Sequence, residues 1–123
     1  MKKIHTEKAP QAVGPYSQGV IHNGLIFCSG QIPLKADGEL VAGDIRAQTT
    51  QVCENLRAVL TEAGSTLTQV VKTDVFLKDM NDFTAMNEVY GSYFKGDFPA
   101  RETVAVSGLP LGVNVEISMI ACK

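Results

Sequence analysis

Glu116 and Arg101 carry charge where the surrounding pattern leaves little room for it. Glu116 interrupts an apolar run, Val113-Asn114-Val115-Glu116-Ile117-Ser118-Met119-Ile120. Taking a carboxylate out of water is costly, so in such company it is paired, hydrogen-bonded or left with a raised pKa, ready to take a proton. Arg101 follows Phe98-Pro99-Ala100 at the mouth of the preceding apolar segment. Its planar guanidinium fork matches a carboxylate with two hydrogen bonds. A glutamate on a strand rim and an arginine on an ordinary surface are the plainer alternatives.

Other chemistries find less support. Cys28, Cys53 and Cys122 are odd in number and lack a CxxC spacing, which reads as reduced, buried thiols. His5 and His22 are the only histidines, and neither sits at ligand spacing from a cysteine or carboxylate, so no metal site is expected. Both lie near the N-terminus and no nucleophile-elbow motif occurs, which leaves little for a Ser-His-Asp or Cys-His system. Eleven basic residues against 13 acidic ones give a net charge of -2. The basic residues are scattered, whereas nucleic-acid binding needs them clustered. Met1 to Lys8 has the charges of a signal peptide without the apolar stretch behind them. No apolar run approaches the ~20 residues that span a bilayer. A cytoplasmic protein with no membrane association is expected.

The elements that must position these residues follow from periodicity. With 123 residues, 45% of them hydrophobic and 20% charged, the chain reads as a single domain over 1–123, large enough for a core. Val20-Ile21-His22 and Leu25-Ile26-Phe27-Cys28 flank Asn23-Gly24, the signature of a tight hairpin. Residues 31–43 read as a connecting loop. Asp44 then suits a helix N-cap, with Ile45, Thr49, Val52, Leu56, Leu60 and Ala63 on one face and Gly64 at the end. Residues 70–78 alternate as a half-exposed strand, with Val71, Thr73, Val75 and Leu77 on one side. A second helix begins near Asn81 and packs through Phe83, Met86, Tyr90, Tyr93 and Phe94.

Two strands, Glu102 to Ser107 and Val113 to Ala121, close the chain and are read as a second hairpin around Gly108-Leu109-Pro110-Leu111-Gly112. Hairpin, helix, strand, helix, hairpin is the order of an α+β domain with two helices on one face of a mixed sheet. The last strand is apolar on both faces, which points to burial of the second face against another subunit. Hairpin register decides whether Glu116 and Arg101 share a face. A loop centred on Pro110 puts Glu116 on the face of Glu102 and Arg101 on the other, and a shift of one residue reverses that.

In order along the chain, Gly14-Pro15-Tyr16-Ser17-Gln18-Gly19, Ser29-Gly30-Gln31-Ile32-Pro33, Asn87-Glu88-Val89-Tyr90, Phe98-Pro99-Ala100-Arg101 and Val115-Glu116-Ile117 resemble the motifs of the Rid family. That family, also called YjgF, comprises reactive-intermediate imine deaminases. The match runs almost end to end, and five spaced motifs in order are specific. The resemblance implies a chorismate-mutase-like α+β subunit with a six-stranded mixed sheet, a homotrimer, and clefts between subunits. It implies as substrates 2-iminopropanoate and 2-iminobutanoate, released when pyridoxal-phosphate enzymes dehydrate serine or threonine, and no metal or organic cofactor. Carried over position by position, Arg101 would grip the substrate carboxylate and Glu116 would orient or activate water. Tyr16 would line the pocket, and Ser29, Gly30 and Asn87 would complete its polar wall.

Many deaminase members carry a cysteine two residues after the arginine; this chain has Thr103 there. The family uses chiefly the backbone at that position, so Thr103 is expected to serve substrate binding in the same way, without any thiol role. A non-catalytic module that binds metabolites, regulates or chaperones through the same cleft is the second reading. It needs only Arg101, so retention of Glu116 favours turnover. A ribonuclease is the third, and the acidic balance and missing basic stripe disfavour it.

Overall fold

The computed structural model describes all residues, 1–123. A short strand, β1 (Lys2–Ile4), precedes β2 (Gly19–His22) and β3 (Leu25–Gln31). Asn23 and Gly24 adopt φ of 51° and 76°, the left-handed pair that a two-residue hairpin between right-twisted strands requires. Helix α1 (Ile45–Glu62) begins where Asp44 accepts a hydrogen bond from the Ala47 amide at 2.9 Å, and its apolar stripe is buried against the sheet. Strand β4 (Val70–Leu77), helix α2 (Phe83–Ser92), β5 (Ala100–Ala105) and β6 (Val115–Cys122) complete the chain. A single turn of 3-10 helix, Met80–Asp82, leads into α2 where the sequence suggests the helix itself begins.

The six strands form one mixed sheet in the order β1-β2-β3-β6-β4-β5. Only β4 and β5 are parallel, with α2 as their crossover. The core lies between the sheet and the helices: Leu56, Leu60, Met86, Val75, Ile117 and Met119 are all buried to within 2%. No helix is long and apolar enough to cross a membrane.

The second hairpin of the sequence reading does not form. Strands β5 and β6 never pair; β6 lies antiparallel between β3 and β4, while β5 occupies the sheet edge. The physical reason is in their compositions. A strand apolar on both faces belongs at the centre of a sheet, and one carrying Arg101, Glu102 and Thr103 tolerates an edge. Between them the chain turns through Pro110–Gly112, with Leu111 at φ 57°, and crosses β4. Two smaller differences follow from local geometry. Val71 sits at a bulge, where Val70 pairs with Ala121 and Lys72 with Ile120, so it points to solvent rather than joining Thr73 and Val75. Strand β1 was not expected, because three residues of Lys-Lys-Ile carry no alternation to read.

Candidate active site

Register sorts the candidate residues onto two sides of the sheet. Arg101 pairs laterally with Thr73, and Thr103 with Val75. Thr73 and Val75 are buried under the helices, so Arg101 and Thr103 point to the helix side. Glu116 pairs with Phe76, which in turn neighbours Val104. Its side chain therefore lies on the opposite, uncovered face. Of the two arrangements the sequence left open, Glu116 sharing a face with Glu102 and away from Arg101 is the one that occurs, although no hairpin produces it.

On the helix side, the Arg101 guanidinium carbon stands 4.9 Å from the ring centroid of Tyr90 and 5.6 Å from that of Phe83. None of the chain's ion pairs includes Arg101. It opens onto a cavity of about 340 Å³ whose wall includes Asn87, Tyr90, Phe98 and Pro99. Two neighbouring polar atoms, Asn87 Oδ1 and Thr103 Oγ1, are buried without a hydrogen-bond partner. Buried polar atoms are nearly always satisfied, so Asn87 Oδ1, on the cavity wall with an unpaired guanidinium, is free to bond a polar group that enters there.

On the uncovered face, Glu116 is half-buried and forms no hydrogen bond within the chain. Burial raises its pKa above the ordinary glutamate value. The carboxylate lies against Gly30, where an added Cβ would come within 3.0 Å of its carboxyl carbon. A bulge between Cys28 and Gln31, opposite β6, brings the glycine backbone that close. Ser29 is held by its own contacts: its amide donates to the Gln18 carbonyl at 3.0 Å and its hydroxyl to the Ser17 carbonyl. Tyr16, 54% exposed, overhangs a groove of about 250 Å³ that also touches Gly30, Gln31, Ile32 and Leu111. Tyr16, Ser29, Gly30 and Glu116 thus gather in one place, and Asn87, Arg101 and Thr103 in another. One chain does not bring the two groups together.

The Endoribonuclease L-PSP family model matches residues 6–123. The chain belongs to this family, which is also called YjgF or Rid. The human protein named 2-iminobutanoate/2-iminopropanoate deaminase is 45% identical over 121 residues, covering 98% of this chain and 88% of the relative. The crystal structure of the YjgF gene product of Escherichia coli superimposes with a TM-score of 0.96 at 44% identity, over 100% of this chain and 99% of that one. The structure of E. coli TdcF with bound serine matches equally well, TM-score 0.96 and 39% identity over 100% and 99%.

Within this Rid-family scaffold, several residues around the site escaped the sequence reading. Gln48 accepts from the Asn114 amide at 2.9 Å and donates to the Gly43 carbonyl at 3.1 Å, which anchors the chain two residues before Glu116. Asn55 donates to the Ile32 and Leu34 carbonyls at 3.2 and 2.8 Å and so fixes the segment after Gly30. Buried amides beside an apolar helical stripe were the available signal. The thiols of Cys28 and Cys53 are pushed up to about 12 by burial, which leaves them protonated and unreactive at neutral pH. Cys122 is half-buried and carries no partner.

Proposed function

We propose that the protein hydrolyses 2-imino acids, such as 2-iminobutanoate and 2-iminopropanoate, to 2-oxo acids and ammonia in the cytoplasm. The observation that carries this reading is the Arg101 pocket, where an unpaired guanidinium shares the cavity wall with Asn87, whose Oδ1 is buried without a partner. The name of the human relative and the serine held by TdcF support it.

Arg101 binds the substrate carboxylate bidentately and fixes which face of the C=N bond is exposed. Glu116 holds a water against that face. As the water oxygen bonds to the carbon of the protonated imine, C=NH2⁺, one water proton passes to Glu116 and the C=N π electrons move to nitrogen, giving a neutral carbinolamine. Glu116 returns the proton to the amine. The C–N bond then breaks, ammonia leaves, and the hydroxyl loses its proton to form the 2-oxo acid and ammonium. Desolvation suits Glu116 to this task, because a raised pKa brings a carboxylate closer to neutrality.

This chemistry needs Arg101 and Glu116 in one cleft, so it needs assembly. We take the assembly to be a homotrimer of chorismate-mutase-like subunits, with the β5 edge of one copy against the uncovered face of the next. Phe27 and Val104, 39% and 46% exposed on that face, support burial there. A chain that stayed monomeric would keep a carboxylate pocket without a base, which favours the metabolite-binding reading instead.

Ammonia release from an imine generated in situ by an amino-acid oxidase, with RNA as a parallel substrate, tests the activity. Accelerated ammonia release with intact RNA is expected, and imine decay at the uncatalysed rate would refute it. Light scattering tests the assembly: a mass near 13.2 kDa, that of one chain, would refute it.

A further inference from the structure

Arg101 is held in place without an anion. A long arginine side chain carries considerable rotamer freedom, which either an acidic neighbour or an aromatic face can remove. An acidic partner would occupy the donors and cancel the charge that a ligand carboxylate requires. Aromatic faces attract a guanidinium within ~6 Å but accept few of its N–H bonds. We propose that Phe83 and Tyr90 are positioning residues, which fix the Arg101 guanidinium through their π faces and leave its fork free for the substrate carboxylate. The proposal rests on the reading of Arg101 as the carboxylate grip.

The arrangement is built from several directions. Phe83 and Tyr90 are two helical turns apart, so both project from one face of α2. Tyr90 is 3% exposed, and its hydroxyl shares a 2.8 Å hydrogen bond with Thr73 Oγ1, itself fully buried. Its ring also packs against Phe94 at 4.8 Å. Thr73 is the lateral partner of Arg101. Strand register therefore sets where the arginine leaves the backbone, and the same threonine locks the ring on which its head rests. Phe83 is only half-buried, so its ring is not demanded by the core alone.

The test compares Phe83→Leu, Phe83→Tyr and Tyr90→Phe with the parent, at temperatures where all four are folded. Phe83→Leu keeps apolar bulk but removes the π face. It is expected to raise KM and the calorimetric Kd for 2-oxobutanoate by roughly tenfold while kcat stays within about twofold. Phe83→Tyr restores the ring and the affinity. Tyr90→Phe keeps its ring but frees it from Thr73, so its Kd is expected to rise, by less than that of Phe83→Leu. The Arg101 side-chain resonance, identified by its loss in Arg101→Lys, is expected to be ring-current shifted in the parent and Phe83→Tyr, and to lose part of that shift in Phe83→Leu, where Tyr90 remains. Unchanged affinity and resonance in Phe83→Leu would overturn the proposal, as would equal losses in the leucine and tyrosine variants. If the parent neither binds 2-oxobutanoate nor releases ammonia, the deaminase reading falls separately. The resonance then decides, and an undiminished shift in Phe83→Leu overturns the positioning role.

Discussion

The Arg101 and Glu116 regions hold their charges in opposite ways. Arg101 is cushioned by Phe83 and Tyr90, with orphaned polar atoms nearby. Glu116 sits half-buried on the uncovered face, its pKa raised by desolvation, with Gly30 making room for it. One region keeps a cation available, and the other makes an anion receptive to a proton. Some charges elsewhere are paired across elements: Arg46 meets Glu88 at 2.6 Å, and Lys72 bridges Asp74 and Glu102 at 3.0 and 3.3 Å. Exposed pairs of that kind contribute little to stability or chemistry. Arg101 and Glu116 lie on opposite faces of the sheet and cannot neutralise one another within the chain, which keeps both free.

Mutation should separate the two regions kinetically. The largest effect is expected from Glu116→Gln, which preserves shape but cannot take a proton. Its kcat should fall by about 10²–10⁴-fold while 2-oxobutanoate binding, measured by calorimetry, changes little. Turnover at the parent rate would remove Glu116 from the mechanism. The same variant carries a pH signature. A carboxylate whose folded pKa is raised binds protons more tightly in the folded state, so it lowers stability as pH climbs from the unfolded value through the folded one. Glu116→Gln should flatten that part of the stability profile in thermal melts. The acidic limb of kcat/KM in the parent should lie above the ordinary glutamate value.

Arg101→Ala comes next, with at least ~10²-fold lost in kcat/KM and weak or absent 2-oxobutanoate binding. Arg101→Lys should recover only part, because a point charge cannot reproduce the planar fork. Normal 2-oxobutanoate binding by Arg101→Ala would break the contrast between the regions. Gly30→Ala should have a smaller effect. Its new methyl group meets the Glu116 carboxylate, which must swing aside, so kcat should fall by about tenfold while the affinity set by Arg101 holds. Equal losses in kcat and affinity would mean the two regions are not separable.

What the sequence made legible follows from the range of each signal. Asn23-Gly24 and the Asp44 cap act over a few residues, and the hairpin and α1 appear where those residues dictate. The partner of β6 depends on which strands compete for the centre of the sheet, and the Gly108–Gly112 segment resembles a hairpin loop without making one. Strand parity still separated Glu116 from Arg101 correctly in one of the two registers considered, since alternation survives a wrong pairing. The motifs pointed to Asn87, Arg101 and Glu116. They did not reveal that Phe83 and Tyr90 lie under Arg101, because their seven-residue spacing is also that of any packing face.

Thr103 offers the finest distinction. Its hydroxyl oxygen is buried beside the Arg101 pocket without a partner, and leaving a buried polar group unsatisfied costs about 1–3 kcal/mol. Thr103→Val keeps the shape and removes the hydroxyl. The free protein should therefore melt at the same temperature or higher. If the hydroxyl only completes a hydrogen bond to bound ligand, kcat/KM should fall by no more than a few-fold, since such a bond contributes ~1 kcal/mol net. The two measurements move in opposite directions only when the orphan is kept for a ligand. A lower melting temperature would mean that the hydroxyl is satisfied in the free protein, by water or by a neighbouring copy. A hundredfold loss in kcat/KM would give Thr103 a share of the proton transfer now assigned to Glu116 alone.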